Sequence, residues 1–167
     1  MPLDWTEAIT DVPDKGLERV RQATAAECAI VGEDIGLLGC TRIAARYRVQ
    51  ARGKDRYMLV GTVEADVTQE CVVTVEPVEA HMKFPIEVAF VPDAEALAGD
   101  LVDPFANVEY ESIENGRLAV GRVITEELAS RLDPYPRRPE SEFDWKDTAD
   151  AGKSGPFVAL EKLKRPT

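Results

Sequence analysis

Few side chains in this chain combine reactivity with suggestive spacing, and the strongest set is basic. Arg42, Arg46, Arg48 and Arg52 recur at even intervals through TRIAARYRVQAR, so on an extended strand they share one side. Ten residue steps at ~3.3 Å span about 33 Å, long enough for a row of guanidinium groups to follow several phosphates of an RNA backbone. The same residues support a second reading. A hairpin turn centred on Lys54 places Arg42 opposite Asp66 and Arg46 diagonal to Glu64, which neutralises half the row.

The other reactive types do not assemble into a catalytic set. Cys71 has an acid before it and two valines after it, so it reads as a buried apolar thiol at a strand end rather than an activated nucleophile. His81, the single histidine, is expected near a strand start, half exposed and without a catalytic partner. Cys28, Cys40 and Cys71 never fall at the two-to-four residue spacing of a zinc ligand pair, so no metal and no cofactor are expected. Glu126 and Glu127 are adjacent, and neighbouring helical positions point about 100° apart, too far to serve one bond as an acid and base pair. The expected protein is not an enzyme. Near the C-terminus, Phe157, Leu160 and Leu163 lie at helical spacing beside Lys162, Lys164 and Arg165. This is the pattern of a short amphipathic peptide, for a groove in this chain or in a partner.

The elements that carry these residues follow from periodicity. Thr24 caps a helix whose capping-box partner is Glu27, with Cys28, Ile30, Val31 and Ile35 recurring along it and Gly36 suited to its end. Trp5 to Ile9 reads as a short edge strand closed by a turn over residues 13–16. Ile43, Ala45, Tyr47, Val49 and Ala51 alternate with the arginines, and Leu59, Gly61, Val63, Ala65 and Val67 repeat the alternation after the RGKDR turn, which predicts a long hairpin with one wet face. Phe84, Ile86, Val88 and Phe90 supply a third strand. Glu76-Pro77 is expected to end the strand before it, since proline cannot donate to a ladder.

Acids crowd residues 93–116, read as a mobile acidic insert. A second helix, residues 118–132, carries Val120, Val123, Ile124, Leu128 and Leu132 on one stripe until Asp133-Pro134 stops it. The expected fold class is therefore α+β: an antiparallel β meander, open or partly closed into a barrel, with two packed helices. One domain covers residues 1–134, and residues 135–167 form an extended tail with a short amphipathic end.

Composition narrows the partners. The 167 residues are 44% hydrophobic and 31% charged, enough for one core. No run approaches the roughly 18 apolar residues of a membrane helix, and Met1 to Thr10 carry acids rather than a basic start with an apolar stretch. A soluble cytoplasmic protein is expected, and the three widely spaced cysteines fit a reducing compartment. With 31 acids against 20 bases, the net charge of −11 repels DNA and RNA on average and favours a protein partner, leaving nucleic acid to a local basic patch.

Three stretches carry a resemblance. The eleven residues Val67 to Pro77, VTQECVVTVEP, include Gln69, Cys71, Thr74, Glu76 and Pro77; the later GRLAVGRVITEELASRLDPYPRRP and closing PFVALEKLK follow in the same order. Together they resemble the YceD family, in the branch with a single cysteine in the central motif. Other members carry a Cys-x-x-Cys pair there, whereas Thr74 holds the second position here; Ala119 likewise stands where members often have an acid. The resemblance implies a cytoplasmic bacterial protein needed for accumulation of large-subunit (23S) ribosomal RNA, at precursor processing or early subunit assembly. The implied partners are a ribosomal protein or a ribosomal RNA precursor, or a nuclease. The alternative is an acidic adaptor that binds a basic ribosomal protein or a nuclease without touching RNA. The motif residues themselves read as architectural.

Overall fold

The alternating pattern of residues 39–91 folds as that pattern demands, into three long antiparallel strands. In the computed structural model, which describes residues 3–53, 55–94 and 109–139, these are β3 (Gly39–Ala51), β4 (Tyr57–Glu70) and β5 (Pro77–Val91). The order along the chain begins with β1 (Glu7–Ala8), a 3-10 turn over Ile9–Asp11, β2 (Leu17–Gln22) and helix α1 (Ala25–Asp34). After β5 come β6 (Glu109–Ser112), β7 (Arg117–Leu118) and helix α2 (Val120–Ser130). The main sheet has five strands in the order β2-β3-β4-β5-β6, while β1 and β7 make a separate two-stranded ribbon. The fold is α+β, and the sheet stays open rather than closing into a barrel.

The three-stranded meander is thus the middle of a larger sheet. Trp5 to Ile9 is not one edge strand: only Glu7 and Ala8 pair, against Leu118 and Arg117. The true edge is β2, antiparallel to β3 from Leu17↔Val49 to Gln22↔Ala44. The acidic insert is partly structured, because β6 lies parallel to β5 from Val88↔Glu109 to Val91↔Ser112; residues 95–108 lie outside the described residues. Pro77 does not close the motif strand. It opens β5 opposite Glu70, and the residues between them form the turn.

Burial follows the alternation. Ile43, Ala45, Tyr47, Val49, Leu59, Val63, Ala65, Val67, Phe84, Ile86, Val88 and Phe90 form one dry face. It is roofed by Cys28 and Val31 of α1, by Val120, Val123, Ile124 and Leu128 of α2, and by Leu3 and Trp5. Each large apolar side chain so buried stabilises by about 1.5–3 kcal/mol. Gly61 is required in this layer, since a Cβ there would sit 2.5 Å from the Arg46 carbonyl oxygen and 2.7 Å from the Tyr47 Cβ. The α1 cap forms as its sequence predicts: Glu27 N–H donates to the Thr24 hydroxyl, and Thr24 N–H donates to the Glu27 carboxylate. Glu27 also accepts from the Trp5 indole N–H at 3.2 Å, so one carboxylate fixes both the helix start and the N-terminal strap.

Candidate functional site

Among the described residues, polar side chains gather at the underside of β2, at the turn between β4 and β5, on the sheet face that no described helix covers, and along an acidic edge.

Under β2 lies a buried carboxylate that nothing in the local sequence singles out. Glu7 is 4% exposed. It accepts from Arg21 at 2.8 Å and from the Tyr47 hydroxyl at 2.7 Å, with the Arg19 Nε 3.5 Å away. Burial, then the hydrogen bond to Glu7, pushes the Tyr47 phenol well above its ordinary value. The cluster pins β1 beneath the β2–β3 pair. Elsewhere in the dry layer, burial and the neighbouring Cys28 push the Cys40 thiol up to about 11, so it stays protonated.

The turn between β4 and β5 holds the motif residues. Cys71 is 1% exposed; its N–H donates to the Glu76 carbonyl, and its own carbonyl accepts from Val75 N–H. Val75 sits at φ +62°, a left-handed backbone that disfavours a β-branched side chain. The Thr74 hydroxyl, then the backbone N–H of Arg138, and further amides of the turn, point at the sulfur and bring the thiol down to about 6. Thr74 is thus the chief donor to Cys71. The turn also clasps the segment after α2. Gln69 Nε2 donates to the Asp133 carbonyl at 2.9 Å, Val72 N–H to the Pro136 carbonyl at 2.9 Å, and Arg138 to Glu76 at 2.6 Å. Arg138, then Thr74, hold the Glu76 carboxyl below its ordinary value. Tyr135 to Arg138 therefore do not begin a free tail; the fold extends at least to Arg138.

The third place is the wet face of the sheet. Rows run across four strands: Glu18–Arg48–Val60–Glu87, Val20–Arg46–Thr62–Pro85 and Gln22–Ala44–Glu64–Lys83, with Arg42–Asp66–His81 beyond. The arginine row exists, and most of it is occupied. Arg42 is opposite Asp66 but bonds Glu64 at 3.0 Å; Glu64 also takes Lys83 at 2.8 Å, which with Arg42 lowers its pKa. Arg48 donates to the Lys15 carbonyl and lies 3.8 Å from Glu18, and Arg52 reaches Gln50 at 3.4 Å. His81 Nδ1 lies 2.6 Å from an Asp66 oxygen. Arg46 alone of the four row arginines has neither hydrogen bond nor ion pair among the described residues. Two shallow hollows meet at it, sharing Val20, Arg46 and Thr62. Val20 is 71% and Val60 48% exposed beside it.

An acidic edge completes the surface. Arg122 takes Glu111 and Glu114, and Arg131 takes Glu127. Partial burial, with Glu127, Glu111 and Glu126 nearby, raises the Glu109 pKa, and burial followed by Glu111 raises that of Glu126. Among the described residues no three His, Cys, Asp or Glu side chains gather as metal ligands would, and no helix is long and apolar enough to cross a membrane. Phe157, Leu160, Lys162, Leu163 and Lys164 lie outside the described residues.

Fold and site together define an acidic α+β sheet protein with one sheet face left uncovered by the described residues and a polar clasp at one end. A family model, Large ribosomal RNA subunit accumulation protein YceD, matches residues 59–164, and the chain belongs to that family. The match covers β4, β5 and the clasp, while β2 and β3, with all four row arginines, lie before it. No curated protein and no solved structure matches the chain.

Proposed function

We propose that this protein is a non-enzymatic cytoplasmic factor that supports 23S ribosomal RNA accumulation, at precursor processing or early large-subunit assembly, by holding a protein partner on its uncovered sheet face. The family supplies the process. The observation that carries the mode of action is Arg46, unpaired between the exposed Val20 and Val60. A guanidinium framed by apolar side chains is the composition of a protein-interface anchor. A phosphate track needs uncompensated positive charge, and here Arg42, Arg46, Arg48 and Lys83 are balanced by Glu18, Glu64, Asp66 and Glu87 on the same face. The partner is a ribosomal protein or a nuclease acting on the precursor.

Affinity capture from cells, with and without ribonuclease, tests this. A partner that survives ribonuclease and is lost on Arg46→Glu supports it; a partner released by ribonuclease makes the contact RNA-bridged and overturns the protein route. In a deletion strain, normal 50S particles and normal 23S levels on sucrose gradients would remove the process itself.

A second reading rests on the acidic edge. Burial first, and neighbouring carboxylates after it, raise the pKa of Glu109 and of Glu126. Docking a basic protein there relieves that repulsion, the adaptor alternative without RNA contact. Weaker capture on Glu109→Gln with Glu126→Gln, and unchanged capture on Arg46→Glu, would favour it.

A further inference from the structure

We infer that the free edge of β2 is a strand-addition site for an extended segment of a protein partner in which apolar and acidic residues alternate, beyond and independent of what the sheet face holds. Ala23 N–H donates to the Ile43 carbonyl at 2.8 Å, which with the register makes Leu17, Arg19 and Arg21 the residues hydrogen-bonded to β3. The backbone groups of Glu18, Val20 and Gln22 therefore point away from the sheet. Among the described residues only the Glu18 carbonyl is engaged, by the guanidinium of its own neighbour Arg19 at 3.3 Å. Nothing described covers this edge, and β2 is the end of the strand order. An unpaired edge is a template for another chain.

Charge sets what kind of chain. An added strand alternates its side chains between the two faces. On the wet face it meets Val20, 71% exposed, which asks for an apolar neighbour. On the other face it meets Arg19 and Arg21, two guanidinium groups that share the single carboxylate of Glu7. One positive charge is left over, and a carboxylate on the incoming strand answers it. A second copy of this chain fits worse, because pairing Val20 with its own equivalent sets Arg19 across from Arg21 of the copy.

The probe is a capped, fluorescein-labelled nonapeptide alternating valine with glutamate, against a control alternating valine with lysine, titrated onto the full chain by anisotropy. The expected result is binding at least about tenfold tighter for the glutamate peptide, a difference of about 1.4 kcal/mol. Val20→Pro should abolish that binding, since its N–H faces outward and the β3 ladder does not use it; Arg19→Gln, which leaves that backbone intact, should erase the preference between peptides. No binding, equal binding of both peptides, or undiminished binding by a folded Val20→Pro chain overturns the inference. So does a dimer in sedimentation that Val20→Pro dissolves, which assigns the edge to a second copy. Binding seen only with Glu161→Lys would assign it to the chain's own C-terminal segment, again overturning it.

Discussion

The clasp between β4 and β5 and the wet face of the sheet are built from similar side chains and use them in opposite ways. In the clasp, Gln69, Cys71, Thr74, Glu76 and Arg138 each have a partner in the chain. On the sheet face Arg46 has none among the described residues, and Val20 and Val60 lie open beside it. The clasp joins VTQECVVTVEP to DPYPRR, two pieces of sequence that lie within the family match. The surface proposed for a partner is elsewhere, and its arginine strand precedes the family match.

That contrast is broken most sharply by Cys71→Ala, which leaves the donors around the sulfur without an acceptor. In the folded chain the thiol ionises at about 6, against an ordinary 9.0. The folded form therefore binds fewer protons between those values, and the contribution is full above pH 9, declines as pH falls and is gone below about 6. Melting curves should show the variant less stable by several degrees at pH 8.5, with the gap closing toward pH 5.5; a gap independent of pH would return Cys71 to a packing role. Next in size is Val75→Gly. Relief of a left-handed β-branched residue should stabilise by about 1 kcal/mol, read as a higher urea midpoint at unchanged slope. Smallest is Arg46→Ala, expected to shift stability by no more than about 0.5 kcal/mol. A larger loss would mean that Arg46 serves the fold, as the clasp residues do.

The legible parts of the fold were those whose partners are near in sequence or whose burial matches polarity. The Thr24 and Glu27 cap and the hairpin with Arg42 opposite Asp66 could be read because local pattern determines them. β2 could not, because its polarity is inverted: Val20 faces water, while Arg19 and Arg21 turn inward toward Glu7. Glu7 itself looks like any surface acid until three partners from β2 and β3 surround it. The clasp has no local signal either, since Gln69 and Asp133 are 64 residues apart. The alternation that revealed the arginine row also contained its neutralisation, but only the register showed that Glu64 takes both Arg42 and Lys83 and leaves Arg46 out.

The N-terminal strap couples this molecule's maturation to its own translation. Leu3 and Trp5 are buried, Gly121 N–H donates to the Trp5 carbonyl, and β1 pairs only with β7. Leu3 and Trp5 must wait for Leu118 and Gly121, which at about 5–20 residues per second emerge on the order of ten seconds later. Until then the hairpin sheet lacks part of its roof, and the nascent chain passes that interval with apolar surface open beside the machine that is making it.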